Sequence, residues 1–363
     1  MTAEKEKFRT PLRDLAHVSL LPAEANSRFF HVTRQGATLR RDGTRIRVTV
    51  PAAAGDVGRL PEILAVVPVL KLQGVLLYGN IQVTTQLARL LLEQGVWVSF
   101  LTGNGVYRGR LQPPCERGGR LRQRQRQCMA DAAFCLAMSK SVVQAKILGA
   151  QSVAAAYASN YVAESLGEAR TTLREQLGAA ANAENVAQLR GIEGTAARAW
   201  FDLFRRANRS GISFGAREGR GAGDPVNSLL NFGYTLLCRE LEGLLESAGL
   251  DPTLGFYHAE LADRPSLACD WMEEFRHAVV DRLVLRLLNT KVIRLEDFED
   301  RGERGGMRLR VQAVGRFVNA YENTMLGRDP EQPGFRQIFL GQLAALLDAM
   351  RGEPYRCWLS EPA

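Results

Sequence analysis

The sequence predicts an α+β protein of two domains: a small, mainly β domain at residues 1–112 and a larger helical domain at 128–363. Three observations carry this prediction. The chain has 363 residues, more than a single compact core usually serves. Strand-type alternation is confined to the stretch before Gln112-Pro113-Pro114. After Cys128 strand signals nearly vanish, and alanine, the best helix former, is abundant through Ala207.

The elements follow in order. Phe29-Phe30-His31-Val32 is a short apolar run. Ala37 to Arg41 and Arg45 to Val50 flank Asp42-Gly43, a hairpin turn signal. Ile46, Val48 and Val50 alternate with Arg45, Arg47 and Thr49, as in a half-buried strand. Ile63 to Leu72 and Gly74 to Tyr78 are further strands, with Pro68 marking an edge or a bend. Val83, Leu87, Leu90 and Leu91 fall at helical spacing, and Gly95 stops that helix. Val96 to Leu101 and Val106 to Leu111 make one more hairpin. Residues 113–127 read as a basic linker. Asn208 to Gly223 is too Gly-rich for a helix and reads as a mobile loop. Asp224-Pro225 starts a helix that Gly249 ends, and Asp270 to Asn289 is another. Arg308 to Leu326 and Phe335 to Met350 complete the set.

Composition bounds the partners. A net charge of +8 and a pI near 9.4 favour a polyanion, without choosing among DNA, RNA and anionic lipid. Arg117, Arg120, Arg122, Arg124 and Arg126 crowd one segment, and Arg209, Arg217 and Arg220 crowd the Gly-rich loop. Each group is either a solvated surface or a set of phosphate contacts. No apolar run reaches the roughly 18 residues of a membrane span. The start, MTAEKEKFRTPLRDL, lacks an apolar signal core, so a cytoplasmic protein is expected. The six cysteines form no CxxC pair, which argues against structural zinc. Cys128 and Cys135 share a helical face and read as core thiols.

The chemistry concentrates between Leu250 and Leu288. Asp270 and Glu273, three apart at the mouth of a helix, can address one space, and His258 arrives from the preceding loop. Upstream, Glu193 lies among Ile192, Ala196, Ala197 and Trp200, where a carboxylate needs a partner. Two or three carboxylates with one imidazole suit a hard cation such as Mg²⁺ or Mn²⁺. Taken singly, each residue has an ordinary alternative. Glu193 can be a surface acid, His258 a backbone cap, and Asp270 an N-cap or first-turn acid. Glu273 can complete a capping pattern. His277 reads as a surface residue, and Glu240, Glu242, Glu246 and Asp281 read as solvated helix faces. Spacing alone does not bring Glu193 to His258.

Several segments in one order carry a resemblance: YGNIQVTTQLARLLLEQGVWVSFLTGNGVYRGRL, IEGTAARAWF, DPVNSLLNFGYTLL, LDPTLGFYH and RPSLACDWMEEFR. From about Phe29 to Phe335 the chain resembles the CRISPR-associated spacer-acquisition integrase and endonuclease ("Cas-one") family. The resemblance implies a β-sandwich-like N-terminal domain that dimerises and an all-helical catalytic domain. It implies a homodimer acting on double-stranded DNA, the prespacer and the CRISPR repeat. It also implies a small ferredoxin-like partner ("Cas-two") and, in some systems, a "Cas-four"-type processing nuclease. Residue by residue it implies Glu193, His258 and Glu273 as the metal ligands, with Asp270 a supporting catalytic acid. Two positions depart from the family's usual pattern: Trp200-Phe201 stands for Tyr-Phe, and His277 for a proline. The implied reaction is attack of a 3′-hydroxyl on a phosphodiester at the repeat edge. One phosphodiester replaces another, which fits the lack of a GxxxxGK[ST] loop in the sequence. The alternatives are a metal-dependent nuclease that cuts branched or linear DNA without integrating, and a catalytically idle DNA-binding scaffold.

Overall fold

The computed structural model describes residues 29–51, 60–113, 118–158, 167–219, 222–258, 264–302, 306–327 and 334–358. The chain forms two compact units. The first is Met1–Pro113 with Val311–Asn319; the second is Pro114–Arg310 with Ala320–Ala363. Val311–Asn319 was not legible as part of the first unit.

The first unit contains two four-stranded sheets. One orders β1 (Phe29–Val32), β5 (Gly74–Tyr78), β7 (Trp97–Leu101) and β8 (Tyr107–Leu111). The other orders β4 (Glu62–Pro68), β3 (Arg45–Val50), β2 (Thr38–Asp42) and β6 (Gln82–Val83). Helix α1 (Thr85–Glu93) follows β6 and buries Leu87, Leu90 and Leu91. One core joins Ile46 and Val48 of β3, Val75 and Leu77 of β5, Val98 of β7 and these leucines. The alternation of β3 thus sends its valines and isoleucine inward and its arginines out. Pro68 closes an edge strand, where its missing N–H costs no ladder bond.

Where described, the second unit is helical apart from a two-stranded ribbon, β9 (Phe298–Asp300) with β10 (Met307–Leu309). Its helices are α2 (Gly118–Ala130), α3 (Ala132–Ala158), α4 (Gly167–Ala181), α5 (Val186–Ala207), α6 (Pro225–Ser247), α7 (Ser266–Met272), α8 (Arg282–Asn289), α9 (Val311–Met325, whose first part belongs to the other unit) and α10 (Phe335–Ala349). Asp224 caps α6 by accepting the Asn227 N–H at 2.8 Å, with Pro225 at the first helical position.

Four expectations need correcting here. The basic segment is helix α2 from Gly118 onward, because Arg and Gln are good helix formers. Its half-buried Leu121 and buried Gln125 and Cys128 fall at helical spacing on one face. The Gly-rich loop, where described, is pinned. Phe214 packs on Phe201 and Phe204, and Asn227 and Asn231 of α6 bind its backbone at Ala216 and Gly219. The helix read as Asp270–Asn289 starts earlier, at Ser266. It is broken by a π-helical turn at His277–Asp281, a feature frequent at functional sites. Finally, the Ala132–Tyr157 stretch of α3 is long and apolar enough to cross a membrane. It packs against α4, α5 and α7, and carries Lys146 into the buried interior.

Candidate active site

The second unit gathers Glu193, His258, Asp270 and Glu273 into one cluster. Helix α5 places Glu193 three residues before buried Ala196, at the rim of the face that continues to Trp200. Helix α7 ends at Glu273, and both Asp270 and Glu273 are buried. Asp270 is a full turn inside α7, with Pro265 at the N-cap position, so its role is not capping.

Asp270 organises the loop that delivers His258. Its Oδ2 accepts the backbone N–H groups of Phe256 at 2.7 Å and Tyr257 at 2.9 Å. Its Oδ1 accepts the His258 N–H at 2.9 Å and meets His258 Nδ1 at 2.5 Å. Asp270 thereby fixes the imidazole proton on Nδ1 and leaves Nε2 as the second nitrogen for other work. Gly255 permits this fold, because a Cβ there would lie 2.5 Å from Asp270 Oδ2 and 2.9 Å from Ser266 Cβ. Other elements hold the same loop. Gln125 of α2 bonds the backbone of Asp251 and Leu254, and Arg190 of α5 donates to the Tyr257 carbonyl at 2.7 Å.

Glu193 and Glu273 converge on a residue that the sequence reading did not single out. The Lys146 ammonium, on α3, donates to Glu193 Oε1 and lies 2.7 Å from Glu273 Oε2. Tyr257 O–H donates to Glu193 Oε2 at 2.7 Å, and Arg276 Nη1 reaches both Glu273 oxygens at 2.8 Å. The only sequence signal for Lys146 is a lone lysine in an otherwise apolar stretch of helix, SVVQAKILGA.

The charges set each other's ionisation. Burial opposes ionising Glu273, but Arg276, Lys146 and His258 outweigh it and hold its carboxyl far below the usual range. Burial likewise opposes ionising Glu193, and Lys146, with help from Tyr257, holds it below its ordinary value against repulsion from Glu273. Burial would lower His258, yet the bond to Asp270 and the nearby Glu273 carboxylate raise it. Both glutamates are therefore carboxylates in contact with one cation, and the imidazole sits within electrostatic reach of Glu273. Beside them is a small recess lined by Lys146, Glu193, Ala196, Ala197, Leu173 and His277.

A second buried network backs the first. Asp281 accepts Trp200 Nε1–H at 2.7 Å and the Tyr234 hydroxyl, and meets His277 Nδ1 at 2.6 Å. His277 and Asp281 are buried, against the expectation of surface positions, because the π turn rolls both inward. Glu240 and Glu242 are buried too: Glu240 pairs with Arg336 at 2.7 Å, and Glu242 with Arg239. Glu246 is half-buried.

The expected phosphate contacts divide. Arg122 and Arg124 point Nε–H groups at the carbonyls of Gly249 and Met350, so both support the fold. Arg120, Arg126 and Arg209 are exposed. Arg217 is half-buried, donating to Asn227 at 3.0 Å and Asn231 at 2.6 Å over the Tyr234 ring. Arg117 and Arg220 lie outside the described residues.

Residues 30–323 match the family model of CRISPR associated protein Cas1. The chain belongs to the Cas1 family. A CRISPR-associated endonuclease Cas1 from Thermus thermophilus is 32% identical over 328 residues, covering 89% of this chain and 94% of that one. Among solved structures, a casposase bound to integration product superposes with a TM-score of 0.78 at 23% identity, covering 93% of this chain and 94% of that one. A Cas6-RT-Cas1–Cas2 complex gives 0.77 at 23% identity, over 93% of this chain and 37% of that one. At these identities the structural likenesses establish the Cas1 fold, a β domain followed by a helical one, as the fold of this chain.

Proposed function

We propose that this Cas1-family chain is a divalent-metal-dependent DNA integrase and endonuclease of CRISPR adaptation. It joins the 3′-hydroxyl of a short duplex to a phosphodiester at the edge of a repeat. The observation that carries the reading is the convergence of the Glu193 and Glu273 carboxylates on one ammonium, with the His258 imidazole within electrostatic reach of Glu273.

The donor types suit a hard divalent cation, although among the described residues no three His, Cys, Asp or Glu side chains stand close enough together, as they are, to hold one. Two carboxylates held ionised supply anionic oxygens, and Lys146 marks the point where positive charge is stabilised. Glu193, Glu273 and His258 would hold Mg²⁺ or Mn²⁺. Once bound, such an ion polarises a phosphoryl oxygen and neutralises charge developing at phosphorus. Asp270 orients the histidine through Nδ1, the carboxylate–histidine arrangement that fixes tautomer and ring plane at many metal centres. Asp270 is thus a positioning residue: its four contacts are already directed at the loop, three to backbone N–H groups and one to the ring. Tyr257 tethers Glu193 and lies edge-on to the His258 ring, with centroids 5.1 Å apart.

The remaining surfaces support the partners. Exposed Arg120 and Arg126 can meet DNA phosphates, which position a duplex without reading its sequence. Leu60, Ile63 and Leu70 are exposed on and around edge strand β4, an apolar strip suited to pairing two copies through the first unit. Two such dimers would then be bridged by a small ferredoxin-like protein. In this reading the protein works in the cytoplasm, where it meets DNA.

The test is a strand-transfer assay. It combines a labelled duplex with 3′-hydroxyl ends, a supercoiled plasmid carrying a CRISPR repeat, Mn²⁺ or Mg²⁺, and the partner protein in one arm. Label entering the plasmid with wild type, and not with His258→Ala, is expected. Nicking without joining would replace the integrase by a nuclease. Bound DNA with neither product would leave only a scaffold.

A further inference from the structure

We propose that Lys146 is the resident counter-ion of the Glu193–Glu273 pair, and that a divalent cation enters this site by displacing the Lys146 ammonium. The inference rests on the metal-dependent reading above and adds a residue and an order of events to it.

The geometry makes the two cations mutually exclusive. Lys146 Nζ occupies the space between the two carboxylates, contacting Glu193 Oε1 and, at 2.7 Å, Glu273 Oε2. A hard cation needs those same oxygens at ligand distance, closer than an ammonium hydrogen bond. Charge points the same way. Glu193 and Glu273 carry two negative charges, and Lys146 and Arg276 carry two positive ones, in a cluster whose lysine and Glu273 are almost wholly buried. Adding a divalent ion with both basic side chains in place leaves two uncompensated positive charges in a poorly solvated site, which is costly. Arg276 is the worse candidate to leave. It is fixed by two 2.8 Å bonds to Glu273 and lies 4.2 Å from the Tyr234 ring centroid. Lysine has a flexible stem and a point charge, so it swings away at lower cost. Its way out follows Glu193, the most exposed of the three side chains at 19%, along the wall of the small recess beside it.

Lys146 therefore does two jobs. Without metal it keeps two buried carboxylates compensated and in place. With metal bound its freed ammonium stands at the rim of the same site, close to where a DNA phosphate must lie.

The experiment pairs affinity with accessibility. Mn²⁺ binding to the full-length protein is measured by titration calorimetry for wild type, Lys146→Met and Glu273→Gln. Separately, wild type is acetylated with and without Mn²⁺, and Lys146 modification is read by mass spectrometry. The expected results are Mn²⁺ binding at least about tenfold tighter in Lys146→Met, since one repelling charge is gone, and Lys146 acetylation that rises on adding Mn²⁺ to wild type. Wild-type binding that is lost in Glu273→Gln but unchanged or weaker in Lys146→Met, with Lys146 still protected, overturns the displacement and leaves the metal site standing. No Mn²⁺ binding to any of the proteins overturns both. The acetylation arm keeps the test decisive if Lys146→Met is poorly folded, because it uses wild type alone.

Discussion

Replacing Asp270 by alanine should separate the two functions of its carboxylate: holding a loop and aiming a histidine. In the native protein the side chain is fully buried and takes four hydrogen bonds, three from backbone N–H groups and one from the His258 ring. Alanine leaves those backbone donors without their acceptor. Each orphaned buried donor costs about 1–3 kcal/mol, but the loop relaxes and water enters, so the sum is not additive. Breaking a buried charged pair by deleting one partner gives about 3–5 kcal/mol, and that is the expected loss in urea unfolding. Activity should fall further than stability explains. With the loop loosened, the imidazole no longer keeps a fixed orientation within electrostatic reach of Glu273, and strand transfer should drop at least ~10²-fold even where the variant is folded. Asp270→Asn keeps the shape and part of the acceptor capacity, so it should be less destabilised but still impaired in transfer. An Asp270→Ala protein within about 1 kcal/mol of wild type, with transfer intact, would refute the positioning role.

Four other outcomes are expected. Burial pushes His277 below its ordinary value, although Asp281 pulls the other way, so the unfolded chain takes up the proton first. Stability should therefore fall as pH drops through about 6.5, by at most about 1.4 kcal/mol per pH unit, and His277→Gln should flatten that slope in denaturant titrations; an unchanged slope counts against it. Arg126→Glu, on an exposed position, should weaken DNA binding most at low salt and leave stability within about 0.5 kcal/mol of wild type. Arg217→Glu should instead loosen the pinned loop, visible as new protease sensitivity, because it loses Asn227 and Asn231. The Cys238 and Cys269 sulfurs lie 3.9 Å apart, and the Cys238 thiol and Arg264 pull Cys269 down to about 6 against burial. Dilute hydrogen peroxide should then remove two hydrogens from the intact mass and link those two cysteines, a product absent from Cys238→Ser.

The parts of the molecule that were legible in the sequence are those where local chemistry decides. The alternation of β3, the Asp42-Gly43 turn and the Asp224-Pro225 start of α6 are each written in a few adjacent residues, and each is found in place. The basic segment was misjudged because charge hid a helix-forming composition whose buried stripe is only Leu121, Gln125 and Cys128. The Gly-rich loop was misjudged because its order comes from Asn227 and Asn231 on a helix that follows it. In the site, the residue types of Glu193, His258, Asp270 and Glu273 were visible, but their division of labour was not. Only the folded loop shows that Asp270 is consumed by backbone donors while Glu273 faces the cation. Lys146 was invisible for the same reason: one lysine in an apolar helix carries no signal until the two glutamates that face it, 47 residues away and beyond, are brought to it. The inward turn of His277 and Asp281 depends on a π turn, which no periodicity argument anticipates.

The central claim is that Glu193, Glu273 and His258 together hold a divalent cation. Crystals of the protein soaked in Mn²⁺ and measured at the manganese absorption edge test it most directly. The account predicts an anomalous peak bounded by the two carboxylates and the His258 imidazole, with the Lys146 ammonium moved off Glu273. A peak elsewhere on the chain, or none at millimolar Mn²⁺ with Lys146 still seated between the glutamates, would contradict it.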